Sequence, residues 1–171
     1  MKEPVKVFAA ILYRDEPALS EAISQLSGLW GDADSVSKPQ PFDVTDYYSG
    51  EMGADLKRIL VSFRRLQDAS RLGDIKRESI IIEERLKKLG AGRTVNIDSG
   101  YIDVDKVVLA STKRGPYKIY LNEGMWADMI LHYEKGHFTP FKWSFADFKD
   151  GRYEKDLLHI RELYKKGKSQ L

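Results

Sequence analysis

Cysteine is absent from this sequence, which removes disulfides, thiolate zinc sites and cysteine nucleophiles together. Histidine is scarce, with three in 171 residues. Charge of one sign is not in excess: 28 Lys and Arg stand against 26 Asp and Glu, a net charge of +2. That balance lacks the electrostatic footprint of a dedicated duplex nucleic-acid binder. No apolar run approaches the ~18 residues a membrane-spanning helix needs. The N-terminal run from Val7 to Tyr13 ends in charges rather than a small-residue cleavage site, so it reads as a buried strand and not a leader; the cytoplasm is the expected location. Several catalytic signatures are also missing. There is no P-loop, no G-x-G-x-x-G after the first strand, no G-x-S-x-G elbow and no H-E-x-x-H.

What is present is the composition of a globular domain, 42% apolar and 32% charged, in a chain long enough to bury about 70% of the surface its unfolded form exposes. VKVFAAILY, residues 5–13, suits a strand covered on both faces. Asp15 and Pro17 then form a helix start. Leu19, Ala22, Ile23, Leu26 and Trp30 share one helical face up to Gly31. Pro39 and Pro41 confine any strand near 33–44 to an edge. ILVSF, residues 59–63, is a second buried strand. A longer amphipathic helix is predicted over 69–89, with Asp68 as its cap and Gly90 and Gly92 closing it. Gly73 is its weak point.

From Arg93 the pattern changes to strand-like runs between turns, TVNID, VVLAS, YKIYL, WADMILHY and FTPFKW, which is the pattern of an antiparallel meander. The alternation slips phase between Ile102/Val104 and Val107/Leu109, so a bulge or one helical turn is predicted at 103–106. In the WADMILHY run, Ala127, Met129, Leu131 and Tyr133 are expected to form the core face. Trp126, Phe138, Phe141, Trp143, Phe145 and Phe148 are expected mainly to fill the core, with base stacking as the alternative. Tyr153, Leu157, Ile160 and Tyr164 make a closing helix. The sum is one α+β domain over residues 1–171, with a ferredoxin-like β-α-β-β-α start continuing into an antiparallel β-meander and a C-terminal helix.

Three stretches hold chemistry-bearing residues. PFDVTDYYSGEMG, residues 41–53, sets Asp46 and Glu51 beside Tyr47 and Tyr48. The carboxylates are candidate acid–base groups or magnesium ligands, and the tyrosines candidate stacking or donor groups. The second stretch, Asn96 to Tyr101, reads as a tight turn in which Asp98 bonds backbone amides and Gly100 takes a positive φ. Its alternative is the rim of a site, with Asn96, Asp98 and Tyr101 holding a hydroxyl or a magnesium-bound water. Third, Ser111 to Lys118 gathers Thr112, Lys113, Arg114 and Lys118 in one hairpin loop able to hold phosphate or carboxylate, or else merely solvated. His132, Glu134 and His137 flank another turn as a conceivable zinc set, with exposed strand-end histidines as the plainer reading.

The motifs TDYY-x-x-EMG, VNIDSGY, VLASTK and the late WSFADF occur in an order that resembles domain of unknown function family 4416, a bacterial and archaeal family, over nearly the whole chain. Two departures stand out. Asp98-Ser99-Gly100-Tyr101 replaces an Asp-Pro-Gly-Tyr block, and Trp143-Ser144-Phe145-Ala146-Asp147 replaces Trp-Thr-Tyr-Pro-Asp. The family has no established activity, so the resemblance implies no reaction or residue roles. The residues themselves suggest a cytoplasmic protein that binds or acts on a small phosphorylated or nucleotide-like compound, with the acidic-aromatic loop meeting the basic hairpin, through magnesium if a metal takes part. A non-catalytic adaptor or oligomerising domain and an RNA-binding module are the alternatives.

Overall fold

The central strand has helices on both sides, and this explains its unbroken apolar sequence. In the computed structural model, which describes residues 2–88 and 92–171, β1 (Pro4–Tyr13) is buried from Val5 onward. Val7, Ala9, Ile11 and Tyr13 enter one core with Leu19, Ala22, Leu26 and Trp30 of α1 (Glu16–Trp30). Phe8 and Ala10 enter a second core on the opposite face, with Tyr153, Leu157 and Ile160. The Asp15 carboxylate caps α1 by accepting from Ala18 N at 3.3 Å, and Pro17 occupies the first turn, where no backbone donor is needed.

After α1 come β2 (Ala33–Val36) and β3 (Gln40–Pro41), both paired with β4 (Lys57–Phe63); between β3 and β4 lies the one-turn helix α2 (Ser49–Met52). β5 (Gln67–Asp68) and a 3-10 turn (Ala69–Arg71) lead into α3 (Leu72–Arg85). The predicted Leu89 and Gly90 at the end of that helix lie outside the described residues. Gly73 is a site of close approach: a Cβ there would lie 2.9 Å from Asn122 Oδ1.

The second half runs β6 (Val95–Ile102), β7 (Lys106–Ser111), β8 (Ile119–Tyr120), β9 (Trp126–Glu134) and β10 (His137–Pro140), then α4 (Ala146–Lys149) and α5 (Glu154–Lys168). Among the described residues all strands join one antiparallel sheet of principal order β10-β9-β7-β6-β1-β4-β2. The segment β6-β1-β4-β2 is the ferredoxin-like arrangement expected from the sequence, and β7, β9 and β10 extend it as the meander. The fold is α+β. Tyr164 on α5 donates to the Pro4 carbonyl at 3.0 Å, fastening the last helix to the first strand. Among the described residues no helix is long and apolar enough to cross a membrane.

Two local expectations are corrected. Residues 96–101 form no turn; they are the interior of β6, and Gly100 does not have a positive φ. Its role is spatial. A Cβ at Gly100 would strike the Val108 carbonyl oxygen and lie 2.9 Å from Leu109 Cα. The real turn comes at Asp103, whose carboxylate accepts from Asp105 N at 2.8 Å and Lys106 N at 2.9 Å, and this turn also accounts for the phase slip. In β9, Val107 pairs with Leu131 but Val108 with Met129, so Ile130 is the extra residue of a bulge. Ile130 and Leu131 therefore both enter the core, while Met129 of the expected core face is 38% exposed.

Gly100 also marks where the sheet opens. β6 and β7 pair only at Ile102–Val107, Tyr101–Val108 and Gly100–Leu109. Beyond that point residues 95–99 pair with β1 alone, and Ala110 and Ser111 with β9 alone. Gly100→Ala is expected to cost at least about 2 kcal/mol, the upper range for overpacking against backbone. Urea unfolding measures it; a loss below ~0.5 kcal/mol would show that the strands do not meet this closely.

Candidate functional site

Parting two strands strands backbone groups between them, and these must find other partners. At Ile97 they find α3. The Ile97 N–H donates to Glu83 Oε1, and the Ile97 carbonyl accepts from Lys76 Nζ at 2.8 Å. Lys76 and Glu83 are only 7% and 5% exposed. They stand in for the missing neighbour strand and hold the sheet open. Burial pushes the Glu83 carboxyl up, opposed by Lys76 and by the Ile97 amide.

The opening continues into a cleft of about 380 Å³. Its floor is Leu109 and Ala110 of β7, and Ile80 of α3 adds an apolar wall. Tyr47 and Tyr48 form one rim, their rings 4.9 Å apart and edge to face. Ser111, Thr112, Lys113 and Lys118 form the facing rim. The two rims touch: Lys113 Nζ donates to the Tyr47 hydroxyl at 2.9 Å and sits 4.6 Å from the centre of its ring. That ammonium pulls the Tyr47 phenol below its usual range, whereas burial and then Asp98 push the Tyr48 phenol up to about 12. A second chamber of about 360 Å³ shares Tyr47, Tyr48, Asp98, Lys113 and Phe145 with the first and adds the apolar side chains Phe42 and Val44.

A buried ionic network lies beneath these chambers. Arg58, 3% exposed, donates to Asp98 at 2.8 Å and to Asp147 at 2.6 Å; Asp147 also accepts from the Tyr153 hydroxyl at 2.9 Å. Arg58 is further covered by the Phe42 ring, 4.6 Å away. At the other end of the cleft, Lys118 Nζ donates to Ser111 Oγ at 2.9 Å and stays 3.8 Å from Asp128. Two polar atoms lining the cleft have no hydrogen-bond partner among the described residues, Asn96 Nδ2 and Asp128 Oδ1. Each belongs to a residue 4% exposed, and such atoms are uncommon in folded proteins. The Asn96 oxygen is already taken by Arg93 at 2.7 Å, so the free amide nitrogen is its other end. Burial raises the Asp128 carboxyl above the ordinary range, with Lys118 pulling the other way.

Of the sequence candidates, Tyr47, Tyr48, Asn96, Asp98, Thr112 and Lys113 are brought together around this cleft. Arg114 is exposed and lines neither chamber. Tyr101 packs against Leu72, Val108 and Ala110. Asp46 is exposed, and its backbone carbonyl accepts from Ser49 N at 3.0 Å and Ser49 Oγ at 2.6 Å. Glu51 grips Arg93, accepting from its Nη2 at 2.8 Å and Nε at 3.0 Å, and that grip holds the Glu51 carboxyl below its usual range. Among the described residues no group of three or more His, Asp or Glu is placed to hold a metal ion. His132 lies 3.4 Å from Glu134, while His137 turns to Glu154 at 3.0 Å. Sequence reasoning passed over Lys76, Glu83 and Asp128. The available signal was charge set among apolar residues: Lys76 and Glu83 beside the Ile75–Ile82 stripe, and Asp128 inside a strand.

The network gives a direct contrast. Arg58→Met leaves Asp147 buried without its cationic partner and is expected to cost about 3–5 kcal/mol. Asp98→Asn, at a side chain 23% exposed that keeps its hydrogen-bonding shape, should cost no more than ~1 kcal/mol. Equal losses in chemical denaturation would contradict this picture.

The family model described as Domain of unknown function (DUF4416) matches residues 3–164. No curated protein and no solved structure matches the chain. The matched span takes in β1 and most of α5, and with them every residue of the cleft, so the chain belongs to the DUF4416 family.

Proposed function

We propose that this cytoplasmic protein binds a small phosphorylated or nucleotide-like compound in the cleft between β6 and β7. The observation that carries the reading is the convergence of three segments far apart in sequence, 47–48, 96–98 and 111–118, on one concave site. Its lining combines lysines and hydroxyls with tyrosines and Phe145, and includes two residues with an unpartnered buried polar atom. A mostly apolar concavity with a few converging polar groups is the usual form of a small-molecule site. In the same reading Glu51 is a positioning residue that aims Arg93 along the rim.

The stacking of Trp143 favours this over RNA binding. Trp143 is stacked on Tyr117 at 4.4 Å and on Phe141 at 4.7 Å, nearly parallel to both. Both of its faces are covered, so it offers no platform to a base.

A thermal-shift panel of phosphorylated metabolites tests the proposal. A ligand at 100 times its Kd adds about 2.7 kcal/mol to stability, which for a chain of this size raises Tm by roughly 5–10 °C. Lys113→Met and Lys118→Met should each remove most of that shift, and Asp46→Asn should leave it intact. A flat panel would favour the adaptor reading, and RNA binding that weakens steeply with salt would favour the RNA one.

A further inference from the structure

Resting on that reading of the cleft, we infer that its ligand is a phosphate monoester carried on a planar ring through a hydroxyl-bearing link, a ribonucleoside monophosphate being the simplest such compound, and not a nucleoside triphosphate. The inference comes from which charges are already committed. Five cations border the two chambers: Arg58, Lys76, Arg93, Lys113 and Lys118. Arg58 is engaged by Asp98 and Asp147, Lys76 by the Ile97 carbonyl, and Arg93 by Glu51 and Asn96. Among the described residues, Lys113 has only the neutral Tyr47 hydroxyl, and Lys118 has the Ser111 hydroxyl with Asp128 held off at 3.8 Å.

Two ammonium groups therefore remain, both on the 111–118 loop and both beside hydroxyl side chains. They match the charge of about −1.5 to −2 that a phosphate monoester carries at neutral pH. Two further phosphates would bring charge for which no uncommitted cation remains among the five. Anionic charge left without a partner costs free energy where water is partly excluded. The ring has its own place: the second chamber is walled by Phe42, Tyr48 and Phe145, and aromatic side chains accept any planar base by stacking. The same cleft is lined by Asn96, whose Nδ2 is a buried donor without an acceptor, and Asp128, whose Oδ1 is a buried acceptor without a donor. A hydroxyl can accept from the one and donate to the other, and a ribose carries two neighbouring hydroxyls.

Calorimetric titration of the full chain decides the matter, with the four common ribonucleoside 5′-monophosphates, their triphosphates, ribose 5-phosphate and inorganic phosphate as probes. The expected result is at least one monophosphate that binds at least tenfold tighter than its own triphosphate, than ribose 5-phosphate and than phosphate. Lys113→Met and Lys118→Met should each weaken it tenfold or more. Arg114→Met, exposed on the same loop and outside both chambers, should change it less than twofold. Three results would overturn the inference while leaving a phosphate-binding cleft in place: a triphosphate binding as tightly as its monophosphate, ribose 5-phosphate binding as tightly as any nucleotide, or Arg114→Met weakening binding as much as the two lysine variants. If no probe binds, the inference and the broader reading fall together.

Discussion

The site depends on one substitution of partners, in which two side chains of α3 take the place of a β-strand. Where β6 leaves β7, the amide and carbonyl of Ile97 are paired with Glu83 and Lys76. Without those contacts, opening the sheet would leave buried peptide groups unsatisfied, at about 1–3 kcal/mol for each. With them, the fissure is a stable part of the fold. Gly100 sets where the parting begins, because its missing Cβ lets the backbone of β7 come close just before the strands separate. A chain-level constraint and a helix-level compensation together create a concave surface in the middle of a sheet that would otherwise be continuous.

The rest of the molecule holds that opening in place. The ferredoxin-like segment supplies β6 and α3 to the cleft, with β1 buried on both faces behind them. The meander carries the basic hairpin to the far rim. The loop before α2 brings the two tyrosines, and Phe42 from that loop covers Arg58, which in turn ties Asp98 of β6 to Asp147 of α4. The side chains around the cleft thus come from both halves of the chain, held by a buried guanidinium paired with two carboxylates.

How much of this could be read from the sequence follows from the range of each interaction. β1, α1 and α5 were legible because local periodicity dictates which residues they bury: Leu19, Ala22, Leu26 and Trp30 in one helix, Leu157, Ile160 and Tyr164 in the other. β6 was misread because Asp98-Ser99-Gly100 has the composition of a turn, and only the approach of β7, a tertiary fact, explains the glycine. The bulge at Ile130 was invisible because Ala127, Met129, Leu131 and Tyr133 make one unbroken alternating apolar face without it. The sequence picked out the three segments around the cleft, but their meeting depends on the sheet order. Asp46 and Glu51 carried the most obvious chemistry in their stretch, yet the neighbouring tyrosines are the ones that face the cleft. Lys76, Glu83 and Asp128 could have been flagged only as charges lying where apolar residues were due.

The stack of Tyr117, Trp143 and Phe141 ties the basic hairpin to an optical probe already present in the chain. Tyr117 belongs to the same loop as Lys113 and Lys118, and its ring lies 4.4 Å from the Trp143 indole. Trp143 in turn donates from Nε1 to the Met129 carbonyl at 3.0 Å on the fixed surface of β9. The indole is anchored on one side by the sheet and covered on the other by the loop that would grasp an anion. Of the three tryptophans in the chain, Trp30 is fully buried far along α1, while Trp126 pairs with Ser111 and Tyr120 at the two ends of the hairpin, so a change of emission on loop movement would come from Trp143 and Trp126. The protein contains its own fluorophore for following events at the cleft, with no label to attach.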